Sequence, residues 1–64
     1  MNREYFRVSV HRPFEKKRLW AMGAPSVVRV FPDLDSAHKY SHASVPHVVA
    51  ALRREYPDQV VTVY

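Results

Sequence analysis

The chain has 64 residues, 47% of them hydrophobic, with no cysteine and with a net charge of +4 at pH 7. At this length it can form only one small domain, residues 1–64, which buries about 60% of the surface that the unfolded chain exposes. The composition excludes disulfides, cysteine-ligated zinc and a thiol nucleophile, and no apolar run is long enough for a membrane span or a signal-peptide core, so we expect a protein of the cytoplasm.

The first half of the chain is predicted to form strands. Residues 4–11 alternate in polarity, and this period of two is typical of a half-buried strand. One face of that strand would carry Phe6, Val8 and Val10, and the other Tyr5, Arg7, Ser9 and His11. A weaker strand is predicted over residues 18–22, followed by a turn that holds the only glycine, Gly23. Residues 26–31 are dense in β-branched side chains, which predicts a central strand.

The second half is predicted to be mainly helical. Asp33 and Asp35 are N-cap candidates for a first helix, in which Leu34, Ala37 and Tyr40 or Ser41 recur at helical spacing. The pair Val45-Pro46 predicts a break, because a residue before proline avoids the helical region. Ser44 would then cap a second helix that carries Pro46 in its first turn. One kinked helix and two separate helices both remain open.

The second helix has a clear apolar stripe. Its members recur at intervals of three and four residues, the spacing of one helix face: Val45, Val48, Val49, Leu52 and Tyr56. Pro57 ends the helix, and residues 59–64 form a final strand that would be a sheet edge or a homodimer seam. The predicted fold is α+β: a small antiparallel sheet of three to four strands with one broken or two short helices packed on one face, in the order β-(β)-β-α-α-β.

The positive charge is concentrated in the first half. Residues 1–31 hold seven basic and two acidic side chains, whereas residues 32–64 hold three basic and four acidic ones. An asymmetric charge distribution attracts partners of opposite sign to one side of a molecule. We therefore expect either a larger protein with an acidic surface or a nucleic acid as the partner.

The loop after the first strand is the most unusual stretch. It interleaves four positive side chains with Phe14 and the only tryptophan, and its candidate binding residues are Arg12, Lys16, Lys17, Arg18 and Trp20. Cations beside aromatic rings suit single-stranded nucleic acid, because phosphates pair with the cations and bases stack on the rings. Tryptophan and arginine are also favoured anchors of protein interfaces. A solvated loop whose tryptophan belongs to the core is the third interpretation.

Two further arginines are candidates for the same binding surface. Arg7 is predicted on the outer face of the first strand, and Arg29 on the same face of a neighbouring strand. An uncovered sheet face with arginines and aromatic rings is the kind of platform that sheet-based RNA binders use. The glycine-aromatic signature of those modules is missing, which leaves a general contact surface as the expectation.

The histidines suggest a metal site only weakly. Asp35, His38 and His42 would share one helix face, where an i, i+4 histidine pair can ligate zinc or nickel. The HExxH pattern is absent, however, so no metal and no cofactor is predicted. A chain that barely encloses one core also leaves little room for a catalytic pocket, and no phosphate-binding loop or nucleophile elbow is present.

These observations favour a non-enzymatic interaction protein. It would dock its basic and aromatic surface onto a larger protein and occlude it, with electrostatic steering followed by burial of a few anchors. Chains this short with no chemistry of their own are often inhibitors encoded by phages or mobile elements and directed at host or defence machinery. The alternative is a small nucleic-acid-binding protein that uses the same surface.

Overall fold

The computed structural model describes residues 4–64, and Arg3, one of the basic residues counted above, lies outside them. The protein has an α+β fold. In chain order it contains strands β1 (Tyr5–Phe6), β2 (Val8–His11), β3 (Leu19–Met22) and β4 (Arg29–Phe31), a 3₁₀ turn (Leu34–Ser36), strand β5 (Tyr40–Ser41), helix α1 (Val45–Glu55) and strand β6 (Val60–Val63). In the described part of the chain, β1 pairs with β5, and the other strands form an antiparallel sheet in the order β4-β3-β2-β6.

Strands β2 and β6 form the longest ladder among the described residues. Strand β2 pairs with β6 from Val8 opposite Val63 to His11 opposite Val60. Arg7 extends this ladder by one position, because its N–H donates to the Tyr64 carbonyl at 3.1 Å and its carbonyl accepts from the Tyr64 N–H at 2.8 Å. The predicted C-terminal strand is thus confirmed at the edge of the sheet.

The core lies between α1 and one face of the four-stranded sheet. Its buried members come from β2, β3, β5 and α1: Val8, Val10, Ala21, Tyr40, Val48 and Leu52. The apolar stripe predicted for the helix supplies two of these residues, and Val45, Val49 and Tyr56 pack beside them. Burial of this stripe holds α1 on the sheet, since an 11-residue helix has little stability alone.

Residues 26–31 do not form a central strand. Only Arg29–Phe31 is a strand, and it occupies the edge opposite β6. The prediction was wrong because a high content of β-branched residues shows only that a segment suits the pleated surface of a sheet. It carries no information on the position of that strand within the sheet. The centre of the sheet belongs to β2 and to β3, which confirms the weaker strand predicted over residues 18–22.

The first predicted helix is absent. The Asp33 carboxylate accepts from the Asp35 N–H at 3.0 Å as predicted for a cap, but the turn ends after Ser36 and the backbone of Ala37 is extended. Tyr40–Ser41 then forms strand β5 against β1. The helical spacing did not predict the structure here, because Leu34 is 51% exposed and buries too little apolar surface to stabilise a longer helix. The extended backbone of β5, in contrast, buries the Tyr40 side chain.

Helix α1 is one continuous element that starts where the proline pattern predicted it. Ser44 is the residue before its first turn and Pro46 lies within that turn. The Ser44 side chain does not cap the helix; its hydroxyl oxygen instead accepts from the Ser41 hydroxyl at 3.1 Å. No helix in the described part of the chain has the length and apolar character needed to cross a membrane.

Tyr40 joins β5 to the turn after β3. Its hydroxyl donates to the Gly23 carbonyl at 2.8 Å, and burial raises the pKa of Tyr40, which keeps the donated proton on the phenol. Gly23 has φ 91°, and a Cβ there would lie 2.8 Å from the Val27 carbonyl oxygen, so glycine is required at this turn. The two residues fix the connection between the sheets.

Tyr40→Phe is expected to destabilise the protein by about 1 kcal/mol, because the ring stays in the core while the hydrogen bond to Gly23 is lost. Urea denaturation followed by circular dichroism measures the change. Tyr5→Phe is the matched control, since the Tyr5 side chain is 57% exposed. Equal unfolding midpoints for the two variants would show that the Tyr40 hydroxyl contributes nothing to the fold.

Candidate binding face

The face of the four-stranded sheet opposite α1 carries most of the candidate residues. Cross-strand register assigns Ser9, Trp20, Phe31 and Thr62 to this face, because paired residues project to the same side. Alternation along the strands then adds Arg7, His11, Met22, Arg29, Val60 and Tyr64. We call this surface the outer face.

Aromatic rings contact each other on the outer face. The rings of Trp20 and Tyr64 are 5.4 Å apart and tilted by 49°, and both residues are half-buried. The Arg18 guanidinium carbon lies 5.3 Å from the centre of the Tyr64 ring, within the range of a cation–π contact. These contacts fix Arg18 and Trp20 on one side of the sheet.

The charged side chains on this face are all basic. Arg7, Arg18 and Arg29 are exposed there, and none of the described residues at the outer-face positions is acidic. Phe31 is 40% exposed beside them. The described part of the outer face is therefore a surface of cationic side chains around aromatic rings, with no acidic side chain among them.

Ser9 departs from the sequence prediction. It lies on the outer face as the alternation indicates, but it is fully buried, since its neighbours on either side are Trp20 and Thr62. The Ser9 hydroxyl and Nδ1 of His11 are buried without a hydrogen-bond partner. Large neighbouring side chains thus close the middle of a face for which the alternation alone predicted exposure.

The loop between β2 and β3 places its residues in different surroundings. Lys16 and Lys17 are exposed in the segment that leads into β3. Arg12 turns the other way: it forms an exposed ion pair with Glu15 at 3.9 Å and lines an open groove of about 410 Å³ that also contains Glu55 and Asp58. Arg12 is thus beside acidic groups, apart from the arginines of the outer face.

Phe14 is the most exposed large apolar side chain described. It lies at the tip of the loop and is 99% exposed. The turn that presents it is closed by the Glu15 N–H donating to the Arg12 carbonyl at 3.0 Å. A ring held this far into solvent adds an apolar contact point beside the groove.

The weak metal candidates are not brought together. Among residues 4–64 there is no group of three or more histidine, aspartate or glutamate side chains placed to hold a metal ion. Asp35 lies in the 3₁₀ turn, while His38 and His42 flank strand β5, where their helical spacing no longer applies. The His38 ring contacts Tyr40 at 4.7 Å and the His42 ring lies 6.0 Å from Phe6.

Two outer-face residues were missed by the sequence analysis. Tyr64 and Phe31 were not among the candidates, although both stand next to Trp20. Strand alternation would have placed Tyr64 beside Arg7 once the last strand was paired with the first. Composition alone could not show that pairing, because strand order depends on contacts distant in sequence.

No protein-family model, curated protein or solved structure matches this chain. Its function has to be inferred from the arrangement of its own residues.

Proposed function

We propose that this protein is a non-enzymatic binding protein that docks its outer face onto an acidic surface of a larger protein and occludes it. The observation that carries this proposal is the composition of that face, which presents Arg7, Arg18 and Arg29 around Trp20 and Tyr64 without an acidic residue at the described positions. Tryptophan, tyrosine and arginine are the residues that contribute most to protein interfaces. The arginines would also accelerate encounter with an acidic partner.

The arrangement of the Trp20 and Tyr64 rings favours a protein over single-stranded nucleic acid. Base stacking needs an accessible ring face. Arg18 already lies over the Tyr64 ring, and Trp20 is tilted against the same ring. A base would have to displace Arg18 to stack on Tyr64, whereas a protein carboxylate can pair with Arg18 where it stands.

The surroundings of the polar groups support a non-enzymatic role. Ser9 is fully buried, so its hydroxyl cannot meet a substrate. Asp35 lies in the 3₁₀ turn and His38 follows that turn, and both are exposed to solvent. Nucleophilic catalysis requires a nucleophile, a base and an orienting group within hydrogen-bonding reach of each other. The short length of the chain supports the further proposal of an inhibitor encoded by a phage or mobile element, which acts by covering a site.

Affinity capture from the native host, followed by mass spectrometry, tests the proposal. The tagged chain should retain a protein with an acidic surface, and nuclease treatment of the extract should leave that capture unchanged. A labelled oligothymidylate provides the second arm. Binding to it that falls steeply between about 50 and 200 mM salt, together with nuclease-sensitive capture, would replace the protein proposal with nucleic-acid binding.

A further inference from the structure

The two edges of the four-stranded sheet differ in a way that bears on self-association. Strand β4 has three residues, begins with the exposed Arg29 and is followed by Pro32, and charge, short length and proline are the features that keep a natural edge from pairing. Strand β6 has four residues and carries neither a charge nor a flanking proline. It reads Val-Val-Thr-Val, is uncharged, and no other described strand pairs with its free side.

The backbone of β6 shows which of its groups point outward. Arg7 and Tyr64 exchange both hydrogen bonds, so they form a hydrogen-bonded pair. Hydrogen-bonded and non-hydrogen-bonded pairs alternate along an antiparallel ladder, and therefore Val60, Thr62 and Tyr64 direct their N–H and C=O groups toward β2. Val61 and Val63 direct theirs to the open edge.

We propose that β6 pairs with β6 of a second copy of this chain, antiparallel and around a two-fold axis at Thr62. The sequence Val61-Thr62-Val63 is the same in both directions, so this register places valine opposite valine and threonine opposite threonine. Val61 forms a hydrogen-bonded pair with Val63 of the partner subunit, and Val63 with Val61 of the partner subunit. The outward N–H and C=O groups of both strands are then all paired.

The side chains fit the same register. Thr62 faces Thr62 of the partner subunit, and Tyr64 faces Val60 of the partner subunit, as an aromatic and β-branched cross-strand pair. Val60 and Val63 are 42% and 41% exposed in the single chain, which leaves apolar area for this seam to cover. No side chain from Val60 to Tyr64 is charged, so no pair of like side-chain charges meets across the axis.

Apolar surface continues from the edge on the helix side. Val63 lines an open groove of about 270 Å³ together with Phe6, His42, Val45 and Pro46. Because α1 contacts both β2 and β6, the helices of the two copies would lie side by side across the seam. The dimer has an eight-stranded sheet and carries both copies of the outer face on the same side. The dimer proposal does not depend on the proposed function.

Disulfide trapping tests the register, because the natural chain has no cysteine. Residues of a non-hydrogen-bonded pair have Cα atoms about 4.5 Å apart, a separation that a disulfide can span. Thr62→Cys should therefore form a covalent dimer under mild oxidation. Val60→Cys, on the same face of the same strand, is the control, because the two Val60 Cα atoms would be about 14 Å apart.

Sedimentation velocity of the unmodified chain provides a readout that needs no substitution. The fraction of dimer should rise with protein concentration. Val63→Lys should shift the midpoint of that rise upward by at least about tenfold, because a lysine on an edge strand opposes pairing with another strand. Val27→Lys, an exposed valine outside β6, should leave it unchanged. A monomer over roughly a hundredfold range of concentration, or cross-linking of Val60→Cys as readily as Thr62→Cys, would overturn the proposal.

Discussion

Reversing two outer-face charges, Arg18→Glu with Arg29→Glu, is expected to weaken partner binding by at least about a hundredfold. Both arginines are exposed: Arg18 lies over the Tyr64 ring, and Arg29 projects from edge strand β4 on the same face, two residues before Phe31. A carboxylate of the partner would meet them there. The introduced glutamates replace attraction by repulsion and also remove the steering that speeds encounter. Isothermal titration calorimetry against the captured partner measures the change.

The chain offers a control with the same change in net charge. Arg53→Glu with Arg54→Glu reverses two exposed arginines in the last turn of α1, which lies on the other side of the sheet. This variant should bind within about threefold of the natural chain, because distant charges are screened at physiological salt. Similar losses for the two double variants would show that net charge governs binding and that the outer face has no special role.

Leu52→Ala is expected to cost about 2–5 kcal/mol and to unfold much of the protein at room temperature. Leu52 is 1% exposed and is the largest fully buried side chain described. It joins α1 to the Val8 and Val10 side of the sheet. A domain this small has little stability to lose, so removal of three carbon atoms from its centre is severe.

Leu34→Ala makes the same chemical change at a side chain that is 51% exposed. Its unfolding midpoint in urea should stay close to that of the natural chain, whereas Leu52→Ala should lack a cooperative transition or show one at much lower urea. If Leu52→Ala and Leu34→Ala unfolded at the same urea concentration, the core would not lie between α1 and the sheet.

The sequence predicted those parts of the fold that depend on local periodicity. Alternation located β2, and the stripe around Val48 and Leu52 located α1. Strand order was beyond such patterns, because it depends on which distant strands bury each other's side chains. The short strand β5 was also beyond them, since its formation depends on Tyr40 entering the core and reaching the Gly23 carbonyl.

The candidate residues were predictable to a similar extent. Alternation predicted Arg7 and Arg29 on one face of neighbouring strands; the register has them on one face, but β3 lies between their strands. Alternation could not indicate that Arg12 pairs with Glu15 and lines a groove with Glu55 and Asp58. The periodicity of a strand carries no information on the course of the loop that follows it. The contribution of Tyr64 depends on the long ladder between the two ends of the chain.

The central proposal is that the outer face meets the partner, and the single tryptophan on that face provides a direct probe. A chain labelled with 5-fluorotryptophan gives one fluorine resonance, from Trp20. On titration with the captured partner this resonance should shift or broaden in step with complex formation measured by light scattering. A complex that forms while the Trp20 resonance stays at its free position would contradict docking through the outer face.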